Sequence, residues 1–217
     1  MPQLCVRNFA ISLDGYGAGP RQDRDNPIGV GGFKLHEWIF VTRSFGATHA
    51  AAAEGGTGLD DDFIARGDTG IGATIMGRNM FGPMRGAWGD APWTGWWGDN
   101  PPYHHPVFVL THHARPPIEM QGGTTFHFVA DGIESARGQA LDAAGGADVR
   151  LGGGVATIQQ FLRARLVDEL HLVLVPVLLG GGERLFDNVD GAAGDYECVE
   201  FVASPSVVHA RLALTPT

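Results

Sequence analysis

The sequence predicts an α/β protein with a mostly parallel central sheet, flanking helices and a C-terminal antiparallel hairpin. Three observations carry this. Short apolar runs rich in β-formers alternate with stretches whose apolar residues recur at helical spacing, as in 125–129 before 133–144 and 149–151 before 155–166. Several apolar runs stop at glycine, at Gly77 and at Gly152-Gly153-Gly154. The chain then closes on two runs, 196–203 and 207–214, with no helical pattern between them.

Residues 4–13 carry the β-formers Val6, Phe9 and Ile11 and read as a first, central strand that ends at the Asp14-Gly15 turn. Residues 17–32 are mostly glycine, proline and charge. A loop of that length inside a compact domain is either a flap over a site or disordered. With its ends included, the candidate flap spans about 16–34. Residues 35–45 read as one helix, with Leu35, Trp38, Ile39 and Phe45 inward and His36 and Glu37 beside that face. The small residues and glycines of 47–58 suit a surface stretch. A short helix over 59–66 opens on Asp60, Asp61 and Asp62, which complement the helix dipole. No partnering ligands follow at useful spacing, so these aspartates are not read as a metal site.

Residues 73–76 form the next buried strand and run into Gly77-Arg78-Asn79. Four of the five tryptophans, Trp88, Trp93, Trp96 and Trp97, fall with Tyr103 in 86–106, among prolines and glycines that forbid a long helix. Aromatic side chains in such a loop either staple it to the body or wall a ligand pocket. Adjacent histidines on a strand point to opposite faces, so neither His104-His105 nor His112-His113 is read as a metal pair. A strand over 107–111 ends at Thr111-His112, and another spans 125–129. Asp131 and Glu134 are spaced as a capping box for a helix over 133–144, with Ile133, Ala136, Ala140 and Leu141 inward. After 149–151 and its glycines, Val155, Ile158, Phe161, Leu162 and Leu166 mark one helix face. The strand 169–179 places Leu170, Leu172 and Leu174 on one side and Val173 and Val175 on the other.

Composition narrows the class. A chain of 217 residues is most simply one domain over 1–217, and 44% hydrophobic residues suffice for a real core. A formal charge of −9 and a pI near 5.3 argue against nucleic acid as a partner. No apolar run has the length of a membrane span and no charged-then-apolar leader opens the chain, so a cytoplasmic protein is expected. Cys5 and Cys198 make neither a disulfide framework nor a zinc site, and both are expected as buried free thiols.

In parallel sheets ligands bind beyond the carboxyl ends of the strands. Gly77-Arg78, Thr111-His112 and Gly152-Gly153-Gly154 all stand at such ends. The glycine triplet alone has two readings, an ordinary tight turn or an anion cradle on a helix start. Arginine beside Gly77 adds a planar fork suited to phosphate.

The pieces Ile11-Ser-Leu-Asp-Gly-Tyr16, Ile75-Met-Gly-Arg-Asn-Met-Phe81, Val109-Leu-Thr111, Val149-Arg-Leu-Gly-Gly-Gly154 and Pro176-Val-Leu-Leu-Gly-Gly-Gly-Glu-Arg-Leu-Phe186 resemble, in order, the dihydrofolate reductase-like family. The closer resemblance is to the reductase domain of riboflavin biosynthesis and its stand-alone bacterial relatives. It implies hydride transfer from NADPH to a small planar heterocycle, pterin- or aminopyrimidine-like, and a homodimer. Gly77, Arg78 and Asn79 would open a helix on the cofactor phosphates. Thr111 and His112 stand where the family reads the adenosine 2′-phosphate, and His112 departs from the Ser-Arg common there. Gly152, Gly153, Gly154, Val155 and Ala156 would carry the pyrophosphate, and the backbone of Ala10 and Ile11 the nicotinamide carboxamide. Two carboxylates stand near the family's acid position, Glu37 on the helix after the flap and Asp14 at the end of the first strand. Glu37 is either a proton donor with a pKa raised by Trp38 or a solvent-facing helix residue. Phe33, Trp88, Trp93, Trp97 and Tyr103 would wall the substrate. The other class of function open to the same scaffold is a non-catalytic nucleotide or flavin-like ligand binder.

Overall fold

The computed structural model describes all residues except 50–54, 90–92, 190 and 216–217. Within the stretch read as surface, 47–49 and 55–58 are exposed and 50–54 lie outside the described residues, as does part of the aromatic loop. β1 (Leu4–Ser12) leads through β2 (Tyr16–Ala18) to the helices α1 (Glu37–Phe40), α2 (Arg43–Thr48) and α3 (Leu59–Asp68). There follow β3 (Ile71–Gly77), α4 (Arg78–Phe81), β4 (Pro106–Leu110), β5 (Ile118–Glu119), β6 (Thr125–Val129), α5 (Ile133–Ala143) and β7 (Asp148–Gly153). The chain continues with α6 (Val155–Arg163), β8 (Glu169–Val175), β9 (Glu183–Arg184), β10 (Tyr196–Ala203) and β11 (Val208–Leu214).

One nine-stranded sheet organises them in the order β10-β11-β8-β1-β7-β3-β4-β6-β5. From β8 to β6 every pairing is parallel, and β10, β11 and β5 join antiparallel. The expected parallel sheet and terminal hairpin are both present. β1 sits between β7 and β8, because its alternation is apolar on both faces. Leu4, Val6 and Ile11 join the core under α5 and α6, with Val149, Leu151, Leu170 and Leu172. Ala10, Val173 and Val175 face the other layer with Leu35, Trp38 and Ile64. Further along that second face, Met76, Val107, Val109 and Phe126 are covered by Phe81, Trp88, Trp93, Trp97 and Tyr103.

Four local expectations need correction. Residues 35–45 are not one helix: a 3-10 turn (Gly32–Leu35) precedes α1, and α2 starts anew. Thr42 makes the break, in extended conformation, with Oγ1 accepting from the Phe45 N–H and donating to the Ile39 carbonyl. The capping box does not form, since Gly132 at φ 96° is the N-cap of α5 and no side chain caps it. β8 stops at Val175, where Pro176 withholds the next ladder donor. Cys5 is buried, and burial pushes its thiol up to about 11, but Cys198 on the edge strand β10 is exposed.

Candidate active site

β1, β7, β3 and β4 are consecutive in the sheet, so the three glycine- or threonine-ended segments meet side by side. They line one cleft of about 960 Å³ that runs across the carboxyl ends and down onto the α1–α3 face. Gly77, Arg78, Asn79, Thr111, His112, Gly152, Gly154, Val155, Ala156 and Ala10 all line it. Ile11 and Gly153 are buried directly behind that lining.

The glycines are there for approach. A Cβ on Gly77 would stand 2.1 Å from Thr157 Oγ1 in the first turn of α6, so β3 and α6 come together only at a glycine. Gly153 has φ +121°, which side chains rarely adopt, and its Cβ would meet the Phe9 ring at 3.1 Å. A Cβ on Gly154, the N-cap of α6, would enter open space. Both an open cradle and a helix start are therefore present at the end of β7.

Arg78 supplies the charge. Its Nη1 donates to Thr111 Oγ1 at 3.1 Å, and its guanidinium lies 3.6 Å over the Trp88 ring. Nε and Nη2 are buried with no partner. Burial, with Arg85 and Arg115 nearby, lowers its pKa from the ordinary arginine value. Arg115 lies 4.6 Å over the same Trp88 ring, so one indole serves two cations. A half-buried cation with two unused donors beside two like charges is a place for a polyanion.

Trp88 and Trp93 do not line the cleft. The Trp88 Nε1–H donates to the His113 carbonyl, and the Trp93 Nε1–H to the Phe81 carbonyl, so both staple the loop. Phe33, Trp97 and Tyr103 do line it, joined by Trp96. The flap is ordered rather than disordered: Gly19 N–H bonds the Ile28 carbonyl and Val30 N–H the Pro20 carbonyl. β2 roots it on β9, and Gly17, Ala18, Gln22 and Ile28 face the cleft.

Neither expected acid is placed as a proton donor. Glu37 is exposed and outside the cleft lining. Asp14 accepts from the Ser12 hydroxyl and from the Leu179 and Gly180 N–H groups, and these bonds, the hydroxyl first, hold its pKa at about 2. It is an ionised turn residue. His36, unassigned by sequence, lines the cleft with Nδ1 buried and unpartnered, its pKa lowered by burial.

Other lining residues also escaped the sequence reading. Glu183, half-buried on β9, has a pKa raised by burial and partly lowered again by Arg85 and by the Ala156 N–H at the start of α6. Asn8, Thr74 and Arg150 face the deep end, where Thr74 Oγ1 lies 2.8 Å from His105 Nε2. Burial takes His105 down to about 4, so that ring is neutral. The consecutive polar pair Arg7-Asn8, interrupting an apolar strand, was the one available signal for Asn8. Among the described residues no three His, Cys, Asp or Glu side chains converge on a metal position, and no helix is long and apolar enough to cross a membrane.

A family model described as "RibD C-terminal domain" matches residues 4–209. Among solved structures, the chain is similar to a putative riboflavin biosynthesis protein from Shewanella sp. PV-4, at 22% identity and TM-score 0.62 over 99% of both chains. It is also similar to dihydrofolate reductase from Enterococcus faecalis complexed with NADP(H) and RAB-propyl, at 14% identity and TM-score 0.52, covering 99% of this chain and 97% of that one. A pyrimidine reductase-like protein from Corynebacterium diphtheriae aligns at 13% identity and TM-score 0.51, covering 100% of this chain and 93% of that one. These likenesses establish the dihydrofolate reductase-like fold. No curated protein matches the sequence.

Proposed function

Since the chain belongs to the RibD C-terminal domain family, we propose that it is an NADPH-dependent reductase acting on a small planar heterocycle. The observation that carries the reading is Arg78, with Nε and Nη2 buried and unpartnered beside Thr111, Arg85 and Arg115. An anion satisfies those donors, and a cluster of three guanidinium groups favours the extra 2′-phosphate of NADPH over NADH. His112 departs from the arginine common at its position, and Arg115 supplies a cation nearby from three residues further on. The open cradle at Gly154 fits a second phosphate group.

Arg78 and Thr111 would hold one end of the cofactor, Gly154, Val155 and Ala156 its middle, and Ala10 the nicotinamide end. NADPH, when bound, supplies a hydride. The chain's own contribution is orientation and exclusion of water. The flap covers the cleft through Ala18 and Ile28, while Phe33, Trp97 and Tyr103 offer apolar walls to a flat ring. No side-chain acid is assigned, because Asp14 is ionised and Glu37 lies outside the lining.

The test is a titration with NADPH, followed by quenching of tryptophan fluorescence, and then its oxidation in the presence of pterin and aminopyrimidine substrates. Binding with turnover supports the reductase. Binding with no turnover on any flat heterocycle points to a nucleotide-binding protein instead, and no binding rejects both.

A further inference from the structure

Asn8 occupies a bulge in β1, where the pairing with β8 shifts register between Val6 and Phe9. Its φ is +54°, a left-handed value that asparagine tolerates better than most residues. Bulges re-aim side chains, and this one is held by a buried chain of hydrogen bonds. The Asn8 N–H donates to His171 Nδ1 at 3.3 Å, which leaves the proton of that ring on Nε2. His171 Nε2–H then donates to His209 Nδ1 at 3.1 Å, and His209 Nε2–H to Asp60 Oδ1 at 2.9 Å. Every donor runs the same way, from β1 through β8 and β11 to the first turn of α3. Phe63 stacks on His209 with ring centroids 3.9 Å apart and seals the chain.

The side chain so aimed has no partner of its own. Asn8 lines the cleft, and its Oδ1 is buried without a hydrogen bond. A Cβ on Gly67 would stand 2.2 Å from Asn8 Nδ2, and the Gly67 carbonyl accepts from Arg150 Nη2. Asn8 and Arg150 thus meet at Gly67. Arg150 also lines the cleft, and its Nε, a donor, is a second buried polar atom without a partner. Its charge is already answered by Asp68. Buried polar groups left unsatisfied by the protein need an explanation, and two of them converge here, away from the Arg78 end.

We infer that Asn8 and Arg150 read the polar edge of the substrate, and that Asp60, His209 and His171 are positioning residues that aim Asn8. An amide beside a guanidinium N–H is complementary to a ring edge with a carbonyl oxygen next to an N–H. With Arg150 neutralised by Asp68, that edge is uncharged. The ligand class is a cyclic amide, imide or ureide, in contrast to the polyanion suited to Arg78. The inference rests on the cofactor reading of the Arg78 end, which leaves this end for the second ligand.

The probes are lumazine, a pteridine dione carrying such an edge, and quinoxaline, a flat ring without one. Binding is read by tryptophan quenching with and without NADPH. Asn8→Gly keeps the backbone conformation and the N–H to His171 but removes the amide. We expect it to lose lumazine affinity about tenfold, the worth of one hydrogen bond, with quinoxaline and NADPH binding unchanged. Arg150→Met should do the same. Asp60→Leu should weaken lumazine without touching the cleft, while Asp60→Asn, which keeps an acceptor, should restore it. If Asn8→Gly does not fold, Arg150→Met, which leaves the bulge untouched, carries the test. Equal affinity of the wild-type protein for both probes, or either of these variants binding lumazine as the wild type does, overturns the inference. Failure of NADPH to bind overturns the cofactor reading separately, since the lumazine arm is also run without it.

Discussion

Arg78 Nη1 donates to Thr111 Oγ1 at 3.1 Å, tying the carboxyl end of β3 to that of β4. One hydrogen bond therefore sets the direction of a buried guanidinium whose other donors remain free.

Arg78→Ala should weaken NADPH binding by about 10- to 100-fold, the range for a charge-assisted bond of roughly 1.5–3 kcal/mol. NADH binding should change less, because the proposed partner of Arg78 is the 2′-phosphate that NADH lacks. Parallel fluorescence titrations with the two nucleotides check this. Equal losses would move the phosphate contact elsewhere.

Glu183 lines the cleft with Ala156, beside the first turn of α6 where the pyrophosphate is expected. Two anions there repel. Glu183→Gln should therefore tighten NADPH binding, by roughly threefold for a dipole-scale effect of about 0.7 kcal/mol. A weaker complex would mean that Glu183 supports the cradle rather than crowding it.

Gly77→Ala drives a methyl to within 2.1 Å of Thr157 Oγ1. Overpacking of this kind costs about 1–3 kcal/mol, measurable as a fall in the urea midpoint. Because the obstacle is a side-chain oxygen, Thr157→Ala in the same chain should recover most of the loss, as a double-mutant cycle would display.

His171 and His209 are 2% and 0% exposed, and burial lowers both pKa values, that of His171 to about 3. Arg7, Arg66 and Arg211 oppose protonation of His171, while Asp60 favours the charged form of His209. A histidine with a depressed folded pKa contributes its full stability above the unfolded value of 6.5, and loses it as pH falls towards the folded value. At pH 5 the loss from His171 is about 2 kcal/mol, at 1.36 kcal/mol per pH unit. Thermal denaturation should show a melting temperature that declines below pH 6.5, with a shallower decline in His171→Phe. A flat profile in the wild-type protein would put the rings in contact with solvent.

Much of the fold was legible because it rests on local pattern. Strand 125–129 and the helix after the glycine triplet follow from periodicity, and glycine at a strand end marks a turn whichever ligand uses it. The helix expected over 35–45 failed on Thr42, whose side chain can cap as readily as it can continue a helix. The site was half legible. Arg78 and Thr111 stand out beside strand ends, but Trp88 reads the same in sequence whether it walls a pocket or lies under two guanidinium groups. The Asn8–His171–His209–Asp60 chain was invisible, because its members come from four elements that meet only when β1, β8, β11 and α3 are assembled.

The central place of β1 has a consequence for biosynthesis. The strand that carries Asn8 and Ala10 leaves the ribosome well before its neighbours, since it pairs with Val149 and Arg150 on one side and with the stretch from Glu169 to Val175 on the other. Until those residues emerge, Leu4, Val6 and Ile11 have no sheet to join and remain open to wrong partners. Such long-range pairing slows folding, so the cleft takes shape only once β7 and β8 have emerged to flank β1.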